Sequence, residues 1–278
     1  MIPQRDLSLL SNRLARLGGR RIPEAILEKD YCLSWCLAGM SATSLKQILA
    51  FKGGTAIKKC YIPDYRFSED LDFTLREETS FETVKEHLDE AFVRVKEASG
   101  VKISFSRYDR HSHENSHTFY IAYEGPLPGA SGKEVKVDIT IRERLFFPVA
   151  TMPLLRAYAE YRDLPLDATI GVYSLNEIAA EKFVALFDPA RNEPRDLYDL
   201  WRLSGNGLVN PADLIEAVMA KMAFHNKTLT DSKDIFHRKE ARLKKLWTVR
   251  LSAQMADLPA FDEAYRAVTK GLRKEYFG

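Results

Sequence analysis

Long apolar runs are missing from this chain of 278 residues. No window approaches the roughly 20 consecutive apolar residues of a membrane-spanning helix, so we expect no membrane partner. The stretch Met1–Asp6 is polar and no apolar run follows it, so no secretory leader is expected. Cysteine is scarce and odd in number: Cys32, Cys36 and Cys60 lie in helix-like or core-like surroundings. They favour reduced thiols in a cytoplasmic protein over a disulfide framework.

A strong charge of one sign is missing too, since the net charge is only +2. Its distribution is more informative, because basic side chains concentrate between Lys233 and Arg250: Lys233, Arg238, Lys239, Arg242, Lys244, Lys245 and Arg250. Phe236, His237 and Trp247 lie among them. Such a stretch can follow a phosphate backbone while a ring stacks on a base. A solvated helix face is the competing interpretation.

Residue patterns divide the chain into two parts. The first part predicts a helix over 22–40, a short strand over 47–51, a capped helix starting after Ser80, and three alternating strands beyond Gly100. After Pro165 the pattern predicts helices only, beginning with the capping box Ser174–Glu177. We therefore predict an α+β fold: residues 1–165 form a mixed sheet with flanking and N-terminal helices, and residues 166–278 form a helical domain.

A glycine turn and a pair of acids are the most informative motif. Gly53-Gly54-Thr55 lets the backbone approach a polyphosphate closely, because no Cβ blocks it and several N–H groups can point inward. Asp70 and Asp72 stand at i and i+2 on a predicted strand, so both carboxylates can hold the same Mg²⁺ ions. Phosphates beside paired carboxylates are what nucleotidyl transfer requires.

Other residues near this motif are candidates for the same site. Asp138 shares the polar face of an otherwise apolar strand and can complete a triad with Asp70 and Asp72, the alternative being a solvent-facing acid on an edge strand. Ser68 lies on the same face as Asp70, close to a bound γ-phosphate. Three lysines bracket the glycine turn; one is a candidate phosphate contact and the others are expected to be solvated: Lys52, Lys58 and Lys59. Asp30 is expected to brace the sheet, and the histidine-rich stretch 111–117 to form a polar loop.

Lys182 stands in the middle of an apolar helical stripe. An ammonium group there must reach water, pair with a carboxylate or reach an anion, so Lys182 is a candidate contact for a nucleotide triphosphate, with a buried ion pair as the alternative. Asp196 flanks the apolar face of the next helix, either in a structural role or as a site residue beside Lys182 or Arg195. Asp199 is assigned to the solvent side.

The stretch Phe51–Leu75 resembles the DNA polymerase β-like nucleotidyltransferases and, within them, the AbiEii-type toxins of bacterial abortive-infection and toxin–antitoxin systems. It contains the run Arg66-Phe67-Ser68-Glu69-Asp70-Leu71-Asp72-Phe73. Four further blocks carry the resemblance: Leu27–Tyr31, Val137-Asp138-Ile139, Glu181-Lys182 and Arg195–Leu200.

The resemblance implies an Mg²⁺-dependent nucleotidyltransferase toxin that transfers a nucleoside monophosphate from an NTP to RNA, with tRNA as the favoured acceptor, and so inhibits translation. It implies these site residues: Asp70, Asp72 and Asp138 as metal ligands; Gly53, Gly54, Thr55 and Ser68 at the nucleotide; and Lys182 and Asp196 in catalysis. A cognate antitoxin encoded nearby is an expected partner. A small-molecule acceptor of the antibiotic kind, a protein acceptor, and a nucleotide- or RNA-binding module without turnover remain open alternatives.

Overall fold

The computed structural model describes residues 1–17, 20–110, 114–129, 132–230 and 232–276. Contacts within the chain define two compact units. Unit 1 contains Met1–Glu143 and Val149–Val172, and unit 2 contains Arg144–Pro148 and Tyr173–Gly278. The domain limit at residue 165 stays a prediction.

A mixed sheet is the centre of unit 1. In the part of the chain that the structure describes it has seven strands: β1 Leu49–Lys52, β2 Leu71–Leu75, β3 Lys102–Tyr108, β4 Ser116–Glu124, β5 Glu134–Thr140, β6 Ala150–Pro153 and β7 Thr169–Val172. Their order is β3-β4-β5-β2-β1-β7-β6. The pairs β2/β5 and β1/β7 are parallel and the others antiparallel, which confirms the predicted mixed sheet.

Helices flank this sheet: α1 Gln4–Arg16, α2 Glu24–Ser41, α3 Leu45–Ile48, α4 Gly53–Ala56, which continues into a π-helical turn over Ile57–Tyr61, and α5 Phe81–Ser99. The limits of α5 are those its sequence predicts. The Ser80 hydroxyl accepts a hydrogen bond from the Thr83 N–H at 3.1 Å, and Gly100 ends the helix at φ 78°. Helices α2 and α5 cross closely at Gly39, where a Cβ would lie 2.5 Å from Val95 Cγ2.

Side-chain alternation separates the two faces of the sheet. The buried face carries apolar residues such as Phe73, Phe119 and Ile139, each at most 1% exposed. The Phe119 ring packs against Phe81 at the start of α5, with the ring centroids 5.4 Å apart. Burying such a side chain stabilises the fold by about 1.5–3 kcal/mol. The opposite face therefore remains for the polar residues of the motifs.

Unit 2 is helical: α6 Leu175–Leu186, α7 Pro194–Gly205, a 3₁₀ turn over Pro211–Leu214, α8 Ile215–Phe224, α9 Ser232–Leu251 and α10 Phe261–Glu275. The predicted C-terminal helices are confirmed. The expectation of helices only after Pro165 is wrong, because Thr169–Val172 forms β7 between β1 and β6. Four residues are too few to show a period, so their pairing with distant strands decides their conformation.

Three smaller expectations have mixed outcomes. Cys32, Cys36 and Cys60 are free and buried, as expected. Residues 111–113 of the histidine-rich stretch lie outside the described residues, and His117 belongs to β4, where its ring lies 4.7 Å from that of Phe81. Within the described ranges, no helix is both long and apolar enough to cross a bilayer.

Candidate active site

Four polar residues form a row across four neighbouring strands. In the strand register Lys52 stands opposite Asp72, Asp72 opposite Asp138, and Asp138 opposite Thr118. Residues directly opposite each other share a face, and neighbouring strands lie about 4.8 Å apart. Strand β5 lies between β4 and β2, so Asp138 is not on an edge strand. The fold thus brings Asp72 and Asp138 together from positions 66 residues apart (138 − 72).

Hydrogen bonds fix the two ends of this row. The Thr118 hydroxyl donates to Asp138 Oδ1 at 3.0 Å. Lys52 Nζ donates to the Thr140 hydroxyl at 3.0 Å. Asp70, Asp72 and Asp138 are all half-buried.

The glycine turn lies directly against the acids. Gly53 has φ 76°, and a Cβ there would lie 2.5 Å from Asp72 Oδ2. At Gly54, a Cβ would lie 2.5 Å from Arg66 Nη2 and 3.3 Å from the Ser68 hydroxyl. Glycine is therefore favoured at Gly53 by its backbone angle, and at both positions a Cβ would displace a neighbouring side chain. The turn, Ser68 and Asp72 occupy one small region of unit 1.

Thr55 holds the acidic segment in place. Its hydroxyl donates to the main-chain carbonyl of Asp70 at 2.5 Å, and its side chain is buried. Asp70 comes directly before β2, so this bond fixes the point at which the strand begins. In this structure the Thr55 hydroxyl therefore donates its one proton to the Asp70 carbonyl.

The expectation of solvated lysines near the turn is wrong for two of the three. Lys58 and Lys59 are 1% and 3% exposed. Lys58 Nζ donates to the carbonyls of Pro63 and Tyr65, both at 3.1 Å, so it secures the loop that leads into the acidic motif. Burial lowers the pKa of Lys58 to about 8. Both lysines belong to the π-helical turn Ile57–Tyr61, and both of their side chains are buried there.

Lys59 completes the bracing of the sheet by α2. Its Nζ lies 2.7 Å from Asp30 Oδ1 and donates to the Ser34 hydroxyl at 2.7 Å. Asp30 is 2% exposed, so both charges of the pair are buried. Such a pair is tolerated in the interior because each charge has the other, and Lys59 Nζ also donates to the Asp30 carbonyl at 2.9 Å.

Lys182 and Asp196 lie together within unit 2. Lys182 Nζ is 2.8 Å from Asp196 Oδ1 and 3.0 Å from Asp199 Oδ2. The assignment of Asp199 to the solvent side is wrong, since its side chain is fully buried. Asp199 follows Asp196 by about one turn of α7, and both acids face the cation on α6. Only the contact between the two helices reveals Asp199 as a member of this cluster.

Arg191 adds a second cation to the cluster. Its Nε lies 2.7 Å from Asp196 Oδ2, and its Nη2 donates to Asp196 Oδ1 at 3.4 Å. Burial by itself would raise the pKa of the Asp196 carboxyl, but Lys182 and Arg191 outweigh burial and hold it below its usual range. Asp196 is therefore anionic at neutral pH, and Lys182 is held by two carboxylates with 12% of its side chain exposed.

The basic stretch 233–250 forms α9, but not all of it is available to a ligand. Phe236 and Trp247 are at most 3% exposed, so stacking on a base through these rings is excluded as they stand. Lys239 donates to the carbonyls of Leu186 and Asp188 at 2.7 and 3.0 Å and caps the end of α6. The exposed charges of the stretch include Arg238, Lys244 and Lys245, which keeps a basic surface in place.

Glu177 is a residue whose role the sequence did not indicate. As the capping box predicts, its N–H donates to the Ser174 hydroxyl at 3.2 Å. Its carboxylate does not complete the box. It accepts from the Phe147 N–H at 2.8 Å and pairs with Lys221 Nζ at 2.7 Å, both groups of the pair being buried. Glu177 thereby holds the segment 144–148 within unit 2.

A divalent cation fits the donors that Asp72 and Asp138 provide. Mg²⁺ takes hard oxygen ligands and is commonly bound through one or two carboxylates together with substrate phosphates. Asp72 Oδ2 faces the space in front of Gly53 that any larger residue would fill. Among the described residues, no group of three or more His, Cys, Asp or Glu side chains is arranged as a metal site. Asp70 as a third ligand therefore stays a prediction.

Solved structures share this fold. MenT4, the nucleotidyltransferase toxin Rv2826c from Mycobacterium tuberculosis H37Rv, is similar with a TM-score of 0.61 and 20% identity over 95% of this chain and 87% of that chain. A candidate nucleotidyltransferase from H. pylori is similar with a TM-score of 0.55 and 19% identity over 92% and 96% of the two chains. No curated protein sequence matches. At these identities the likeness shows a shared fold.

The family model described as nucleotidyl transferase AbiEii toxin, Type IV TA system, matches residues 35–267. The chain belongs to this family of nucleotidyltransferase toxins. An NTP as substrate and an antitoxin as partner follow from the family.

Proposed function

We propose that this nucleotidyltransferase transfers a nucleoside monophosphate from an NTP to RNA, with tRNA as the acceptor, and so inhibits translation. The observation that supports it best is the placement of Asp72 and Asp138 side by side on one face of the sheet, with Asp72 Oδ2 against Gly53. A glycine turn beside paired carboxylates suits a polyphosphate and the atoms that react with it.

In this proposal the glycine turn and the Ser68 hydroxyl bind the NTP phosphates, and Thr55 positions Asp70. The acceptor hydroxyl oxygen bonds to the α-phosphorus as the bond to the bridging oxygen breaks and pyrophosphate leaves. The hydroxyl proton passes to the carboxylate of Asp138. Lys182, which Asp196 orients, is proposed as a further catalytic residue.

Mg²⁺ is proposed as the cofactor, held by Asp72 and Asp138 with Asp70 as the third carboxylate. When bound, it withdraws electron density from the phosphate oxygens and stabilises the leaving pyrophosphate. The exposed cations of α9 are proposed to contact the phosphate backbone of the acceptor.

The test is a transfer assay with purified protein, total tRNA, Mg²⁺ and each labelled NTP in turn. Asp72→Asn and Asp138→Asn are the test variants. Asp167→Asn, an exposed acid of the same unit, is the matched control. The proposal is supported if label appears on tRNA with wild type and the control but with neither test variant. It is also supported if chelation abolishes the label and added Mg²⁺ restores it. Transfer to a protein or small molecule, and none to RNA, would refute the proposed acceptor.

A further inference from the structure

The face of the sheet that carries Asp72 and Asp138 continues onto β4 and β3. Lys136 stands opposite Tyr120, and Tyr120 opposite Arg107. Lys136 precedes Asp138 by two residues in β5, so the row Arg107–Tyr120–Lys136 lies directly beside the row that holds the acids. Two adjacent rows thus combine acids, cations and an aromatic ring on one face.

A β-bulge brings Arg107 to this face. The register between β3 and β4 shifts between Phe105 and Arg107. Without the bulge, strict alternation would place Arg107 on the same face as Phe105, toward the apolar side. Bulges re-aim side chains in this way and are over-represented next to active sites. The bulge therefore places Arg107 on the polar face, whereas strict alternation would place it on the apolar face.

Arg107 is fixed in place and still accessible. Its guanidinium carbon lies 3.7 Å from the centroid of the Tyr120 ring. Its Nη2 and Nε donate to Glu134 Oε2 at 2.7 and 3.2 Å, and 47% of its side chain is exposed. A guanidinium held between a ring and a carboxylate has already lost much of its rotational freedom, so a ligand that stacks on it bears less entropic cost.

Lys136 is the third member of this second row. Among the residues that the structure describes it makes no ion pair and no side-chain hydrogen bond, although it is half-buried. Lys102, at the other end of β3, differs in this respect, since it pairs with Glu124 at 2.7 Å. A half-buried ammonium beside a phosphate-binding motif is suited to an anion supplied by a ligand.

We propose that Arg107, Tyr120 and Lys136 form a platform for the single-stranded end of the RNA acceptor. A nucleobase stacks on the Arg107 guanidinium, which the Tyr120 ring supports from below, and Lys136 binds the phosphate of the terminal nucleotide. The terminal ribose hydroxyl then lies beside Asp138. This inference rests on the proposed function and specifies its acceptor.

The chemistry of the platform selects among acceptors. An exposed guanidinium plane needs an unstacked base, which a single strand offers and a duplex does not. A nucleic acid strand supplies both the flat base and the phosphate.

The competing explanation is a cross-strand ion pair that only stabilises the sheet edge. Lys102–Glu124 is a matched example, because it joins β3 to β4 by an exposed pair of the same length, 2.7 Å. If Arg107 were merely structural, replacing Arg107 and replacing Lys102 would have similar effects on stability and neither would alter RNA binding.

The experiment measures RNA binding by fluorescence anisotropy in the absence of NTP. The probes are an RNA hairpin with a single-stranded 3′ overhang and the same hairpin with a blunt end. We expect Arg107→Ala to weaken binding of the overhang hairpin about tenfold or more and to leave binding of the blunt one unchanged. Lys136→Met should weaken binding and lower the slope of log affinity against log salt by about 0.7. Lys102→Met should remain within about twofold of wild type.

Three outcomes would overturn the platform: no preference of the wild-type protein for the overhang, equal effects of Arg107→Ala and Lys102→Met, or an unchanged salt slope in Lys136→Met. Thermal unfolding and NTP binding, measured on each variant, separate misfolding from lost contacts. Overhang binding that depends on Arg107, without nucleotide transfer, would support the platform and refute the proposed function. Transfer to RNA that does not change on replacing Arg107 or Lys136 would support the proposed function and refute the platform.

Discussion

Replacing Gly53 by alanine should separate folding from activity in unit 1. At φ 76° an alanine costs about 1–2 kcal/mol, because its Cβ meets the following carbonyl. The new Cβ would also lie 2.5 Å from Asp72 Oδ2, and the flexible Asp72 side chain is what can move. We therefore expect a folded protein with a displaced Asp72 carboxylate. A displacement of about 1 Å at a reacting group costs about 100-fold in rate, which the nucleotide transfer assay would detect.

Gly100→Ala is the matched control for this change. Gly100 has φ 78°, and a Cβ there would meet only Met1 Cβ, at 3.9 Å. Both variants should lose about 1–2 kcal/mol of unfolding free energy in urea, and only Gly53→Ala should lose activity. If Gly53→Ala retained activity within about twofold of Gly100→Ala, Asp72 would not be the residue that the turn positions, and the assignment of this site would be refuted.

Three further predictions concern buried polar contacts. Lys182 and Arg191 lower the folded-state pKa of Asp196, so its charge stabilises the fold above the unfolded pKa of about 3.9, and this stability is lost as the pH falls through the lower folded pKa. Urea unfolding between pH 6 and pH 3 should therefore show that the free energy of unfolding falls more steeply for wild type than for Asp196→Asn. Equal slopes would contradict the argument. The pKa of Lys58, about 8, lies below its unfolded value, so the unfolded state binds more protons than the folded state between pH 8 and 9.5. The free energy of unfolding of wild type relative to Lys58→Met should therefore rise over that range. A constant difference would show that Lys58 does not titrate there. Thr55→Val removes the hydroxyl that binds the Asp70 carbonyl and should cost about 1 kcal/mol together with activity, while Thr55→Ser should restore both; a Val variant with full activity would show that Thr55 does not position Asp70.

The sequence predicts those features of unit 1 that depend on local pattern. Strand β5 alternates strictly, so the apolar residues Val137 and Ile139 identify the buried face and leave Asp138 on the other. The limits of α5 follow from Ser80 and Gly100, whose roles depend on their own side chain or backbone. The confirmed family also follows from contiguous motifs, which need no tertiary information to be found.

Features that depend on partners from distant elements could not be predicted from the sequence. Asp199 has no local reason to be buried; it is buried because Lys182 approaches from α6. Lys58 lies in a π-helical turn that the sequence pattern does not indicate, and its ammonium group donates to the carbonyls of Pro63 and Tyr65 from the loop that follows. Arg107 reaches the polar face only through a bulge, a defect in the alternation on which strand prediction depends.

The segment 144–148 has a consequence for how this protein can be divided. The chain leaves unit 1 after Glu143, returns at Val149 and leaves again after Val172. Within unit 2 the carboxylate of Glu177 and the ammonium of Lys221 hold this short insert by its main chain, at Phe147 N and the Arg144 carbonyl. A gene cut at any single codon would therefore separate one unit from part of itself. Any attempt to express the halves independently, or to exchange one by recombination, would need two junctions flanking residues 144–148 as well as one near residue 172.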